Sequence, residues 1–599
     1  MGNDIEGFIT INDLARLFNI TRQAIQKQLQ GKIESGEVKI KRLNRQYLID
    51  INSLPQDIKE RVKKVQQEAI KTVLNKPVSK TDIEIEKELW SAADKLRGSI
   101  DASDYKNIVL GLLFLKYISD AFYERKYQLE KLTTDKSNKQ WYMSDHKARY
   151  VVINDKDQYK REGLFYVPEK AYWDSLRSHA MQSDFGVYLD DAMDAIEQEN
   201  PSLKGVLPKI YARTSLDNNI LAELVNIFSR IKFDHDLEKE KDMLGRVYEY
   251  FLGQFASAEG KRGGEFFTPR SIVKLIVEIL EPYENARVFD PACGSGGMFV
   301  QSSEFLRIHH KEPSKISFYG QESNPTTIKL CRMNLAIRGI NGDIQYGNSY
   351  YEDKFSSLLA DFVIANPPFN AEWEPKRLND SDPRIKYGIP PSGSANFMWI
   401  QHFIHHLAPN GMAGFVMANG ALAVSGREGT IREKIIKDDL VDVIIACPPK
   451  LFYNVSLPVS LWFVSKNKKN GRFRERSGEA LFIDAREIFH QISRKQVEFT
   501  TEQIKKIADT VRAWRGKNSK TEFKDIPGYC KSATLNEITK NGFVLTPGRY
   551  VGVPEEIDDG IPFGVKMKQY TEDLKKYFEE GKQMEKNIIE NINNLKKSV

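Results

Sequence analysis

Between residues 285 and 485 the chain repeats one pattern. Short apolar runs, "RVFD", "ISFYGQE", "DIQYGN", "DFVIAN", "MAGFVMA", "VDVIIAC", "SLWFVS" and "ALFID", alternate with stretches of helical period. Strands alternating with helices specify an α/β fold with a doubly wound, mainly parallel sheet. Ligands of such sheets bind outside the carboxyl ends of the strands. At 599 residues the chain exceeds one hydrophobic core, so three or four domains are expected. Residues 81–260 read as a helical domain, with "ELWSAADKLRGSIDASDYKNIVLGLLFLKYISDAFYER" and "DMLGRVYEYFLGQFA" as its clearest helices. Residues 61–80 are polar and charged and read as a linker. The end of the chain, from 563 to 599, is a charged helical tail. There Leu574, Phe578, Ile588, Ile592 and Leu595 make a broken apolar stripe suited to a partner helix.

With 41% hydrophobic and 28% charged residues, the composition is that of an ordinary globular protein. Four scattered cysteines give neither a disulfide framework nor a metal-ligand pattern, and no metal is expected. The longest apolar run, "IVLGLLFLKYI", is too short for a bilayer and contains Lys116. With no signal peptide, a cytoplasmic protein without membrane contact is expected.

The first 80 residues hold 15 basic and 9 acidic side chains, a surplus equal to the +6 of the whole chain. Within residues 1–60, Leu14, Leu17 and Phe18 share one helix face and Ile25 and Leu29 a second. "NIT" separates them, with Thr21 placed as an N-cap. This leaves Arg22, Gln23, Gln26 and Lys27 outward on the second helix. "VKIKRLNRQYLI" follows as a basic hairpin carrying Lys39, Lys41 and Arg42. The pattern resembles the winged helix-turn-helix of phage-type transposases and repressors, which would meet DNA through those residues. Two packed helices with no DNA role, or a protein-docking module, remain the competing readings.

The chemistry lies at three strand ends. "VFDPACGSGG" closes one strand at Asp290 and turns through Ala292, Gly294, Ser295, Gly296 and Gly297 into a helix. Glycines there let a ligand approach the backbone. Glu322 ends the next strand, where an acid meets a ribose hydroxyl pair. The spacing differs from a nicotinamide fingerprint. It resembles the S-adenosylmethionine motif of methyltransferases, whose fold is a Rossmann-like sheet, here residues 261–520. "GEFFTPR" upstream resembles their methionine-side motif, which places Glu265, Phe266, Phe267 and Thr268 at that end of the cofactor. In "YGNSY", Asn348 is a further candidate for the cofactor adenine.

"DFVIANPPFN" stops a strand at two prolines, which cannot donate to a ladder and stiffen the backbone. Asn366-Pro367-Pro368-Phe369 resembles the catalytic motif of amino-methyltransferases. An amine conjugated to a ring is a poor nucleophile because its lone pair is delocalised. The Asn366 side-chain carbonyl and the Pro367 backbone carbonyl accept its two N–H groups and favour a pyramidal nitrogen. Phe369 stacks on a base flipped from the duplex. No covalent nucleophile is required, and no cysteine stands in a Pro-Cys pair, which weighs against cytosine C5 chemistry.

From about 85 to 555 the resemblance extends through "LWSAADKLRGSIDASDYKNIVLGLLFLKYIS", "GQESNPTTIKLCRMNLAIRGI", "SANFMWIQHFIHHLAPNGMAGFVMANGAL" and "NVSLPVSLWFVSK". These look like the modification subunit of type I restriction-modification systems. The resemblance implies an adenine-N6 methyltransferase acting on double-stranded DNA with S-adenosylmethionine. It also implies a specificity subunit, contacted through residues 521–599, a restriction subunit, and a second copy held through the specificity subunit. The chain carries no GxxxxGK[ST] phosphate loop and no evident target-recognition region, which agrees with that division of labour. It departs from the family pattern in its N-terminal helix-turn-helix, in Glu265 where Gln is common, and in Asn348 where Asp is common. Two alternatives stay open: a protein-glutamine or ribosomal-guanine acceptor, and a DNA-binding regulator built on an inactive methyltransferase scaffold.

Overall fold

The computed structural model describes residues 8–10, 27, 29, 35, 40–43, 46–50, 53, 55, 80–98, 102–213, 217–229, 237–259, 267–379, 381–452, 458–494, 496–517, 522–553 and 563–597. Strands β1 (Phe8–Thr10), β2 (Ile40–Leu43) and β3 (Gln46–Asp50) form an antiparallel sheet in the order β1-β3-β2. Leu43 faces Gln46 across the hairpin that the sequence places here. The two helices expected before it lie outside the described residues, apart from the exposed Lys27 and the buried Leu29.

A helical region follows, built on α1 (Lys80–Leu96), α2 (Ala102–Thr134) and α3 (Leu237–Glu259). From Ile108 to Ser119 every residue of α2 is buried. A helix apolar on all sides belongs in a protein core or a membrane. Here the partners are protein: Phe228, Phe251 and Phe255 join the same core. No helix among the described residues is long and apolar enough to cross a membrane.

The eight apolar runs all become strands. They are β4 (Arg287–Asp290), β5 (Ser317–Glu322), β6 (Gly342–Tyr346), β7 (Ala360–Ala365), β8 (Leu407–Ala418), β9 (Val441–Ala446), β10 (Val459–Ser465) and β11 (Glu479–Asp484). A small hairpin of β12 (His490–Ser493) and β13 (Gln496–Glu498) and a last strand, β14 (Cys530–Thr534), lack an apolar signature and were not legible in the sequence. The nine-stranded sheet runs β14-β11-β9-β10-β8-β7-β4-β5-β6. It is mainly parallel, with β10 antiparallel to both neighbours and β14 antiparallel to β11. Only residues 447–458 join β9 to β10, and three of them are prolines, a sequence poorly suited to the crossover helix a parallel return needs.

Helices α4 (Arg270–Leu280) and α5 (Gly297–Ile308) cover one face of the sheet, and α7 (Asn396–His405) the other. Between β5 and β6 runs α6 (Pro325–Ile337), which serves two cores. Ile328 and Leu335 pack on the sheet, whereas Leu330, Met333 and Ile337 enter the helical core. Tyr117 of α2 donates to the Ile337 carbonyl at 2.7 Å, tying the two parts together. The tail forms α8 (Phe563–Lys597), on which Leu574, Phe578 and Ile588 are each more than half exposed.

Candidate active site at the strand switch

The chain builds β4, β5 and β6 outward in one direction, then returns to lay β7 on the other side of β4. Loops leave β4 and β7 on opposite faces, and a crevice opens at their carboxyl ends. A cavity of about 340 Å³ lies there, walled by Thr268, Asp290, Gly294, Glu322, Asn348 and Asn366 among others. That volume suits a small-molecule cofactor.

Asp290 is the last residue of β4 and is 1% exposed. Burial pushes its carboxyl well above the usual carboxylate range; the N–H of Ala292, donating to Oδ1 at 3.0 Å, opposes this, and the Glu322 charge adds to it. Glu322 closes β5 next door. Its Oε2 accepts the Gly294 N–H at 3.0 Å and its Oε1 the Asn324 N–H at 2.8 Å. The two acids are thus fixed by backbone donors on adjacent parallel strands.

The turn between them has two kinds of glycine. Gly294 has φ +53°, and a Cβ on it would meet nothing within 4 Å. This is open space beside the cavity, the cradle a cofactor needs. Gly296 has φ +79°, and a Cβ there would sit 2.9 Å from Cys331 Sγ. Gly296 is not among the wall residues. It is a left-handed N-cap of α5, and α6 packs where its side chain would begin. Ser295 lines the cavity and its carbonyl accepts from Asn334 Nδ2 at 2.7 Å. Arg338 donates to the Asn334 carbonyl oxygens and to the Gly245 carbonyl of α3, at 2.6 Å for the latter.

Asn366 follows β7 directly. Its Nδ2 donates to Thr268 Oγ1 at 2.9 Å, a bond that joins the two sequence motifs and fixes the amide plane. With Nδ2 held, Oδ1 is the acceptor side of the amide. Beyond the prolines, Asn370 takes φ +51° and exchanges hydrogen bonds with Asn396 at the start of α7. Pro368 reaches the cavity wall; Pro367 is buried and Phe369 half-buried, and neither is in that wall. The Phe369 ring meets Phe452 edge to face, 6.3 Å between centroids.

Phe267, Thr268, Ala292 and Asn348 all line the cavity. Asn348 Oδ1 accepts the Tyr350 N–H at 3.0 Å, so part of its acceptor capacity serves its own turn. Glu265, Phe266, Arg22, Gln23 and Gln26 lie outside the described residues. Lys41 and Arg42 belong to β2, on the strand that pairs with β3. All four cysteines are buried, and burial raises the Cys447 thiol out of the reactive range.

Two groups of residues were missed by sequence reasoning. Phe452 lies after the Pro448-Pro449 pair, in a loop with no apolar period to mark it. Lys106, Leu252 and Ala256 come from the helical region yet wall the same cavity. Lys106 stands inside "DASDYKN", a segment whose only local signal is helical.

Two family models match the chain: N-6 DNA Methylase over residues 239–559 and HsdM N-terminal domain over 85–228. The MjaIX type I restriction enzyme methylase subunit of Methanocaldococcus jannaschii is 47% identical over 519 residues, 86% of this chain and 91% of that protein. The HindI methylase subunit of Haemophilus influenzae is 47% identical over 418 residues, 68% of this chain and 92% of that one. A crystal structure of the type I restriction-modification methyltransferase subunit from Streptococcus thermophilus superposes with a TM-score of 0.65. It shares 26% identity and covers 79% of this chain and 100% of that one.

Proposed function

The chain belongs to the type I restriction-enzyme methylase subunits of the N-6 DNA methylase family, and from that premise we propose which of its residues transfer the methyl group. The reaction is methylation of adenine N6 in double-stranded DNA, with S-adenosylmethionine as methyl donor. The observation that carries the assignment is that Asn366, Thr268, Asp290 and Glu322 wall one cavity at the strand switch.

The cofactor supplies an electrophilic methyl group on a sulfonium. Glu322 takes the ribose hydroxyls, as the acid ending the second strand does in such sheets. Asp290 faces the cationic methionine end, with Phe267 and Thr268 beside it. The Gly294 turn and Ala292 admit the cofactor to the backbone, and Asn348 borders the adenine. Thr268 holds the Asn366 amide so that Oδ1 and the Pro367 carbonyl receive the two amine hydrogens of the target base. Both acceptors are set before the base arrives, which lowers the reorganisation needed in the transition state. Phe369, braced edge-on by Phe452, stacks on the flipped adenine.

We further assign residues 1–60 to an auxiliary DNA contact, 61–80 to a linker, and 81–260 and 261–520 to the helical and methyltransferase domains. Residues 521–599 meet the specificity subunit, and the exposed apolar side chains of α8 support this. A restriction subunit and a second copy, held through the specificity subunit, complete the assembly, in the cytoplasm with the host DNA it protects.

Asn366→Ala tests the assignment. Methyl transfer from labelled cofactor to DNA should fall at least about a hundredfold, the usual effect of losing one preorganised polar contact to the reacting centre. Cofactor affinity, measured by calorimetry, should stay unchanged. Normal turnover by the variant would remove Asn366 from the mechanism.

A further inference from the structure

The cofactor cavity is not a property of the methyltransferase sheet alone. Among its wall residues stand three from the helical region: Lys106 of α2 and Leu252 and Ala256 of α3. Lys106 is the one basic side chain among the described residues that wall the cavity, and it is 7% exposed. Its position is rigid. The neighbouring Tyr105 is fully buried and donates to the Ala93 carbonyl of α1 at 2.6 Å, and Ile108, two residues beyond Lys106, is buried.

S-adenosylmethionine carries three charges: a sulfonium, an ammonium and a carboxylate. Among the described wall residues, the sheet edge supplies two acids, Asp290 and Glu322, and no cation. Among those residues the negative end of the cofactor has its charge complement on the helical side. We propose that the Lys106 ammonium binds the cofactor carboxylate, so that the helical domain completes the cofactor site of the methyltransferase domain. This rests on the reading of the cavity as the cofactor site. It gives the helical domain a direct role in cofactor affinity, beyond packing against α6.

Three ligands separate the charges: S-adenosylmethionine, its decarboxylated analogue and 5′-methylthioadenosine, which lacks the amino-acid end. Each is titrated calorimetrically into the full-length chain and into Lys106→Met and Lys106→Arg. Loss of a charged hydrogen-bond partner should weaken S-adenosylmethionine about 10- to 100-fold in Lys106→Met. The other two ligands should bind as they do to the parent chain, and Lys106→Arg should recover most of the loss. Equal weakening of all three ligands would make Lys106 a structural residue, and no weakening would remove it from the site; either result overturns the proposal. Glu322→Gln tests the underlying reading separately, because it should weaken all three ligands through the ribose. If it weakens none, the cavity is not the cofactor site and the proposal falls with that reading.

Discussion

The two walls of the cofactor cavity are built in opposite ways. The sheet wall is local: Asp290, Gly294 and Glu322 are fixed by hydrogen bonds to backbone groups within or beside their own turn. The helical wall is remote. Lys106 and Leu252 are set by the packing of α2 and α3, and a polar tie from α3 to the glycine turn runs through Arg338 and Asn334 to the Ser295 carbonyl. A locally fixed wall survives in any fold that keeps two adjacent parallel strands and their turns. A packed wall exists only when two cores are docked, and it fails when the docking fails.

After Asn366→Ala, the largest effect is expected on the sheet side, at the base. Phe369→Ala should remove stacking of about 1–3 kcal/mol, read as a loss of up to about 100-fold in transfer at limiting DNA. Phe369→Tyr should keep most activity. Equal behaviour of the two variants would make the ring a packing group against Phe452.

Gly296→Ala tests whether the turn is as local as it looks. Its φ of +79° is unfavourable for alanine, and the new Cβ would press on Cys331 of α6. A loss of about 1–3 kcal/mol in unfolding free energy is expected, and Cys331→Ala in the same chain should recover only the contact part. Full recovery would show that the backbone angle costs little.

Asp290 links the sheet wall to pH. Burial raises its carboxyl, so the folded protein holds that proton to higher pH than the unfolded chain does. That contribution to folding stability is present below the ordinary carboxylate range and is lost as pH rises through the raised value. Cofactor binding runs the other way, because a cationic ligand end favours the carboxylate. Affinity should strengthen as pH climbs above the ordinary carboxylate range, and Asp290→Asn should flatten the profile. An unchanged slope in the variant would assign the pH dependence to another group.

The smallest effect belongs to the tie between the walls. Asn334→Ala removes the bond to Ser295 and one partner of Arg338, about 1 kcal/mol in a typical case. Cofactor affinity should fall a few-fold beside that modest loss of unfolding free energy. A loss as large as that of Lys106→Met would mean that the helical wall reaches the cofactor mainly through Asn334.

The sequence by itself determined the strands, the order of the motifs and the edge of the sheet at which they meet. Apolar runs of four to seven residues between helical stretches carry a strong period signal, and Asp290, Glu322 and Asn366 each end such a run. Polar strands such as β14 carry no such signal. The antiparallel direction of β10 follows from its short, proline-rich link to β9, but its place between β9 and β8 depends on which neighbour is free to pair, which no local pattern encodes. One packing reason for glycine at Gly296 was hidden in the same way: a Cβ there would meet Cys331, on a helix beyond the next strand. Only the tertiary structure decided what faces the cofactor from the other side. Lys106 reads locally as one more charge on a helix. It becomes a wall of the site because α2 and α3 share a core with α6, and the sequence separation between those helices leaves no short-range trace of that contact.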